Sequence, residues 1–125
     1  MAERMFGLET EYALSALDPR GRRVDHGRAL CRLMALAKES LPYLPDKGAN
    51  GVFLQNGSRL YLDCGGHPEL ATPEVVNPWD ICRYAQAGDR ILTTITDQLA
   101  ARERAVEQVV VTRCNVCYSR AARTT

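Results

Sequence analysis

The segment from Arg59 to Asp63 constrains the fold most, because its polar and apolar residues alternate at the period of a β-strand. In such a strand Leu60 and Leu62 point to one face, while Arg59, Tyr61 and Asp63 point to the other. A Gly-Gly turn and the tripeptide His-Pro-Glu follow directly. Taken alone, this alternation favours an edge strand with a solvated polar face.

A second acidic strand is predicted near the N-terminus, between Phe6 and Tyr12. Its alternation places Glu9 and Glu11 on one face, with neighbouring side chains ~6.6–6.8 Å apart. Two glutamates on one face repel each other, so a compensating positive charge is expected there. Magnesium ions meet this need, since Mg²⁺ binds carboxylate oxygens and keeps positions free for phosphates. The alternative is a solvent-facing edge strand that binds nothing.

Length and composition limit the classes of protein that remain. The chain has 125 residues, which suits one ordinary domain at most, and 46% of them are hydrophobic, enough for a core. A net charge of +1 predicts no general attraction to nucleic acid or to membranes. The sequence contains neither a signal-like apolar start nor a run near the ~20 residues that span a bilayer. Five cysteines without a disulfide pattern favour a cytoplasmic location.

Two helices are predicted from apolar residues that recur at helical spacing. The first covers residues 27–41 and is followed by a loop at 44–50. The second begins at Asn77-Pro78, where asparagine is a favourable cap and proline a favourable first residue, and it runs to about residue 103. Each helix carries one apolar stripe, so both are expected to pack on the same sheet.

The remaining predicted elements are strands. The first covers residues 4–14 and the last surrounds residues 109–111. The Asn-Gly pair at 56–57 predicts a hairpin that joins a short apolar strand at 52–54 to the strand at 59–63. The resulting order is β-α-β-β-α-β. It predicts an α+β fold, a largely antiparallel sheet with helices on one face and the carboxylates on the other.

A resemblance to a known family rests on three motifs, in this order: Gly7–Tyr12, Asn56–Asp63 and His67–Glu74. They are similar to the N-terminal part of the Pup ligase/Pup deamidase (depupylase) family, whose members act on the prokaryotic ubiquitin-like protein Pup. The resemblance implies a glutamine synthetase-like carboxylate–amine ligase domain, whose sheet cradles Mg-ATP. Residues 1–119 are interpreted as the N-terminal part of this domain, and residues 120–125 as an unaligned tail.

The resemblance also implies the ligands of the expected cofactors, Mg²⁺ and ATP. Glu9 and Glu11 match metal ligands of the family. Tyr61 and Glu69 match residues at the metal–phosphate end of the site, so both are candidate metal ligands and Tyr61 is also a candidate contact of ATP. Arg59 shares the face of Tyr61 and is a candidate for binding a phosphate, with a structural ion pair as its alternative role.

Asp63 falls on the catalytic aspartate of the family. In the ligases, ATP phosphorylates the C-terminal glutamate of Pup, a substrate lysine attacks the acyl phosphate, and the aspartate helps to deprotonate that lysine. In the deamidases, the aspartate is proposed to attack the side-chain amide of a terminal glutamine. Both roles agree with the chemistry, since an aspartate beside an activated carboxyl group serves as base or nucleophile.

The choice between ligase and deamidase stays open at this point. Deamidases of the family usually carry a long extra loop between the two acidic motifs, whereas residues 12–62 already hold a helix, a loop and a hairpin, which favours a ligase-like layout. The expected partners are Pup or a Pup-like modifier and proteins with an acceptor lysine. Because the family's domain is several times longer, we expect this chain to be inert without a C-terminal half or partner chain. A non-catalytic remnant or interaction module is the alternative.

Other reactive residues carry weaker signals. Cys114 and Cys117 match one half of a zinc site, or a redox pair, but the sequence has no second cysteine pair. For His67 a role in stabilising the turn is favoured over a role in the acidic cluster. Cys64 is expected to be buried, and Trp79 is expected to pack at its helix start.

Overall fold

The computed structural model describes residues 4–47 and 51–113 of the chain. In chain order its elements are β1 Glu9–Leu17, α1 His26–Ser40, β2 Tyr43–Pro45, β3 Gly51–Leu54, β4 Arg59–Leu62, β5 Pro68–Ala71, α2 Pro78–Arg102 and β6 Gln108–Arg113. The strands form one sheet in the order β2-β3-β4-β5-β1-β6, and all neighbouring strands pair antiparallel. β5 therefore lies between β4 and β1, the two strands that carry the predicted site.

The predicted α+β class and antiparallel sheet are confirmed. The predicted order lacked two strands, because each is too short to show a period in the sequence. β2 has three exposed residues and overlaps the start of the predicted loop at 44–50. β5 has four residues and begins at Pro68, with His67 between it and the Gly-Gly pair. The first strand also differs from its predicted bounds, since it begins at Glu9 and ends at Leu17.

One hydrophobic core lies between the helices and one face of the sheet. Alternate residues of β1 are buried there, namely Tyr12, Leu14 and Ala16. The same cluster contains further side chains from both helices and from three other strands: Leu33, Leu36, Val52, Leu60, Leu70, Leu92, Ile95 and Leu99. Both helices thus cover the same face of the sheet, as predicted, and the opposite face carries the predicted polar residues of β1, β4 and β5.

The contact between α2 and β5 is close because Gly88 has no side chain. A Cβ atom added at this position would lie 2.8 Å from Cδ2 of Leu70, which is itself buried in the core. A helix can approach a sheet this closely only where one of the two facing residues is small. The glycine therefore sets the distance between α2 and the strand that carries Glu69.

Both helices begin at a side-chain cap. The Asp25 carboxylate accepts a hydrogen bond from the Arg28 N–H at 2.8 Å, and the Asn77 side chain accepts one from the Trp79 N–H at 2.9 Å. The expected packing of Trp79 is wrong, because its side chain is 74% exposed. No residue of α2 before Gly88 is buried, so the first turns of this helix extend past the core.

Candidate functional site

Side chains of β4, β5 and β1 form two rows on the face of the sheet opposite the helices, and most of them are polar. In the first row, Tyr61 pairs with Glu69 and Glu69 pairs with Glu11. The second row consists, strand by strand, of Arg59, Ala71 and Glu9. Directly paired residues of antiparallel strands have Cβ atoms about 4.5–5.5 Å apart, so the pairing brings the predicted ligands together.

A glycine on the neighbouring strand β3 makes room for Tyr61. Tyr61 pairs with Gly51, and a Cβ atom at that glycine would lie 2.8 Å from the Tyr61 Cβ and 3.0 Å from the Leu60 carbonyl oxygen. A side chain at Gly51 would therefore displace Tyr61 or its backbone.

Asp63 and His67 close the turn between β4 and β5. The Asp63 N–H donates to the His67 carbonyl at 3.0 Å, and the His67 N–H donates to Asp63 Oδ1 at 2.7 Å. Gly66 has a φ of +75°, a conformation that glycine adopts without strain. The turn therefore holds the Asp63 carboxylate through its Oδ1 atom, as expected from a turn-stabilising His67.

The side chain of His67 lies inside the acidic cluster, which is the less favoured of the two roles predicted for it. Its Nδ1 atom is hydrogen-bonded to Glu11 Oε1 and lies 3.8 Å from Asp63 Oδ2. His67 is buried, with 8% of the residue's surface exposed. Recognition of β5 as a strand would have predicted this position, because His67 falls on the same face as Glu69 when the alternation is continued.

The carboxylates of the cluster influence one another. Burial raises the pKa of Glu69 above its usual range, and the negative charges of Glu9, Asp63 and Glu11 raise it further, against a lowering by the Tyr61 hydrogen bond. Burial and the hydrogen bond to Glu69 raise the pKa of Tyr61, so its phenol is neutral and donates to Glu69. This face therefore carries concentrated negative charge, which a cation would relieve.

Arg59 lies beside this cluster, on the same strand as Tyr61. Its Nε and Nη2 atoms contact Asp46 Oδ2 at 2.7 and 2.6 Å, and its guanidinium group lies 4.2 Å from the centre of the Tyr61 ring. The structural ion pair considered for Arg59 is therefore present. Phosphate binding by Arg59 stays a prediction.

The donor atoms fit a divalent cation. The oxygens of Glu9, Glu11, Tyr61 and Glu69 are of the kind that Mg²⁺ prefers. Within the part of the chain that the structure describes, Glu11, Asp63 and His67 also have ligand atoms within 4.8 Å of one another. Glu11 belongs to both sets. The imidazole makes the second set more suitable for Zn²⁺ than an all-oxygen set would be.

The remaining candidates do not add to the site. The expected burial of Cys64 is wrong, since it is exposed in the turn between β4 and β5, where the chain leaves the sheet. Cys114, Cys117 and the tail at 120–125 lie outside the described residues. A search of the described helices finds none long and apolar enough to cross a membrane.

Comparison with known protein sequences gives one consistent family. A family model described as "Pup-ligase protein" matches residues 4–121. The Pup–protein ligase of Kocuria rhizophila is 39% identical over 99 residues, which make up 79% of this chain and 20% of the relative. The Pup–protein ligase of Corynebacterium glutamicum is 31% identical over 119 residues, which make up 93% of this chain and 23% of the relative.

A solved structure agrees with the sequence matches. The chain is similar to the crystal structure of the complex between prokaryotic ubiquitin-like protein Pup and its ligase PafA, with a TM-score of 0.65 and 32% sequence identity. The match covers 90% of this chain and 22% of that one. The chain thus spans about a fifth of the length of the relatives that it matches. On the matching sequence, the matching fold and the three motifs, the chain belongs to the Pup ligase family.

Proposed function

We propose that this chain carries the metal-binding strands and the catalytic aspartate of a Pup–protein ligase. Such a ligase joins the C-terminal glutamate of Pup to a lysine of a protein substrate at the expense of ATP. The observation that supports this most is the convergence of four carboxylates and one phenol on the open face of the sheet: Glu9, Glu11, Asp63, Glu69 and Tyr61. The relatives named Pup–protein ligases support ligation as the direction of the reaction.

In this proposal the open face binds Mg-ATP through its oxygen ligands. Glu9, Glu11, Tyr61 and Glu69 would hold Mg²⁺, and the fit is supported by the negative charge that raises the pKa of Glu69. Bound Mg-ATP supplies the phosphoryl group that makes the Pup carboxyl group electrophilic. Arg59 would leave or share its contact with Asp46 to meet a phosphate oxygen. The cytoplasm, where ATP is present and thiols stay reduced, is the proposed location.

Asp63 acts as the general base of the proposed reaction. Its Oδ1 atom is occupied by the His67 N–H, so Oδ2 is the oxygen that accepts the proton from the attacking lysine. The lysine nitrogen then forms a bond to the activated carbonyl carbon, and the bond from that carbon to the phosphate oxygen breaks. The products are the isopeptide and inorganic phosphate, with the proton on Asp63 released to solvent.

Most of each relative lies outside the matched segment. For this chain we propose that a further segment or a partner chain completes the nucleotide pocket and supplies the groove for Pup. The 125 residues alone are then expected to be inert.

The test uses the protein purified from its own cells, with Mg-ATP, Pup ending in glutamate and an acceptor protein. We expect an isopeptide-linked product detectable by mass spectrometry and one ADP formed for each linkage. Pup ending in glutamine is added in a parallel reaction, because its conversion without net ligation would identify a deamidase instead. Absence of both reactions, with no binding of Mg-ATP, would contradict the proposal and favour an interaction module.

A further inference from the structure

His67 lies between two carboxylates that the proposed function treats separately. Glu11 is on β1 and Asp63 follows β4, and these two strands do not pair with each other. Both pair with β5, which begins one residue after His67. The backbone of the sheet therefore fixes the position of each carboxylate relative to β5 and not directly relative to the other.

We propose that His67 is a positioning residue that sets the distance between the metal-binding carboxylate of Glu11 and the catalytic carboxylate of Asp63. Its backbone N–H holds Asp63 Oδ1 at 2.7 Å, while its ring nitrogen Nδ1 holds Glu11 Oε1. One residue thus contacts both groups. The inference rests on the proposed function, since it takes the roles of Glu11 and Asp63 from there.

The two contacts of His67 oppose the repulsion between the carboxylates of Glu11 and Asp63. Two carboxylates on the same face are like charges, and without an intervening donor they move apart or rotate away from each other. The ring of His67 lies between them, and the residue is buried, so the ring has little freedom to turn. Since Asp63 Oδ2 accepts no hydrogen bond from the described residues, this oxygen stays free to accept a proton.

The turn between Asp63 and His67 leaves little room for a side chain at Gly65. A Cβ atom at Gly65 would lie 3.3 Å from both carboxylate oxygens of Asp63 and 3.6 Å from Cε1 of His67. A side chain there would press on the carboxylate and on the ring together. From the other side, Nε2 of His26 lies 3.0 Å from the Gly66 carbonyl oxygen, so the turn is also tied to the start of α1.

Three variants separate positioning from turn stability. His67→Leu keeps the backbone N–H but removes the ring contact with Glu11. His67→Asn restores a donor, because its amide nitrogen takes the place of Nδ1. His26→Leu is the matched control, since it removes a histidine that contacts the Gly66 carbonyl of the same turn and neither carboxylate.

Two measurements are made on each variant of the protein purified from its own cells: kcat for ligation of Pup, and the Kd for Mn²⁺ alone by calorimetry. We expect His67→Leu to lower kcat and to raise the Kd for Mn²⁺, each about tenfold, because partners of metal-binding groups have effects of this size. We expect His67→Asn to stay within about threefold of the unchanged protein, and His26→Leu within about twofold, in both measurements.

The outcomes distinguish this inference from the proposed function. If the unchanged protein ligates nothing but binds Mn²⁺ with the expected dependence on His67, the proposed function fails, and the part of the inference that concerns His67 and the metal-binding Glu11 is upheld. The inference is overturned if His67→Leu leaves the Kd for Mn²⁺ unchanged, if His26→Leu reproduces its effects, or if the unchanged protein does not bind Mn²⁺ at all.

Discussion

The hydroxyl of Tyr12 donates a hydrogen bond to Oδ1 of Asp89 at 2.7 Å and so joins β1, the strand of Glu9 and Glu11, to the middle of α2. Asp89 also accepts two bonds from Arg113 of β6, at 3.1 and 2.5 Å. Three elements therefore meet at one carboxylate. Burial opposes the charged form of Asp89, but the bonds from Arg113 and Tyr12 outweigh it and lower the pKa of Asp89.

Replacement of Tyr12 by phenylalanine should weaken the fold. The ring stays in the core, but Asp89 loses one of its donors, and the expected loss in the free energy of unfolding is about 1–2 kcal/mol. Urea denaturation measures this loss. Tyr43→Phe is the control, because Tyr43 is 39% exposed on the edge strand β2, and its effect should stay within about 0.5 kcal/mol. Equal effects of the two variants would show that the bond to Asp89 contributes nothing.

Replacement of Glu69 by glutamine should stabilise the metal-free protein while it weakens metal binding. The change removes a charge that burial and three neighbouring carboxylates disfavour, and a gain of about 0.5–1 kcal/mol in the free energy of unfolding is expected. The same variant should raise the Kd for Mn²⁺ several-fold. Glu107→Gln, an exposed position away from the cluster, should change neither quantity. A less stable Glu69→Gln protein would contradict the account of the repulsion.

The pH dependence of stability follows from the same residue. Because the pKa of Glu69 is higher in the folded chain than in the unfolded chain, protonation favours the folded state. Without metal, the contribution of Glu69 therefore stabilises the fold as the pH falls through its raised pKa, and Glu69→Gln should lack this gain. Thermal melting of both proteins between pH 7 and pH 4, a range that reaches the ordinary pKa of a glutamate, measures the difference. Two identical pH profiles would rule out the raised pKa.

Replacement of Asp63 by asparagine should abolish turnover and spare binding. Asparagine keeps an oxygen for the His67 N–H but cannot accept the lysine proton, so ligation should fall about 10²–10⁴-fold. The Kd for Mg-ATP, measured by calorimetry, should change about threefold at most. Asp97→Asn, on an exposed position of α2, is the control for a general loss of charge. Turnover that stays close to normal in Asp63→Asn would remove this residue from its catalytic role.

Replacement of Gly88 by alanine should destabilise the contact between α2 and β5. Alanine favours a helix over glycine by about 1 kcal/mol, yet the added Cβ would lie 2.8 Å from Cδ2 of Leu70 in a closed core. We expect a net loss of about 1–2 kcal/mol by urea denaturation, since overpacking costs more than the helix gains. Gly27→Ala is the matched control, because a Cβ there meets only an ordinary contact at 3.6 Å, and it should be neutral or stabilising.

Sequence patterns predicted the parts of this molecule that depend on local periodicity. The face shared by Arg59, Tyr61 and Asp63 follows from alternation within one strand, and the cap at Asn77 follows from the residues beside it. Both were predicted because their causes lie within a few positions of each other in the chain.

Contacts between distant segments could not be predicted in this way. The bond between His67 and Glu11 joins residues 56 positions apart. It depends on β5, and a strand of four residues is too short to be predicted from its pattern. The exposure of Trp79 likewise depends on where the core ends along α2, which is a matter of tertiary packing.

The length of the turn between Asp63 and His67 has a consequence for the whole site. Three residues lie between them, and this number decides which side chains of β5 face the metal and which face the helices. One residue more or fewer would invert the parity of the strand, so that Leu70 would lie among the carboxylates and Glu69 would be forced into the core. An insertion or deletion of one residue in this turn is therefore expected to disrupt the site itself, because the turn length sets which side chains of β5 face the carboxylates.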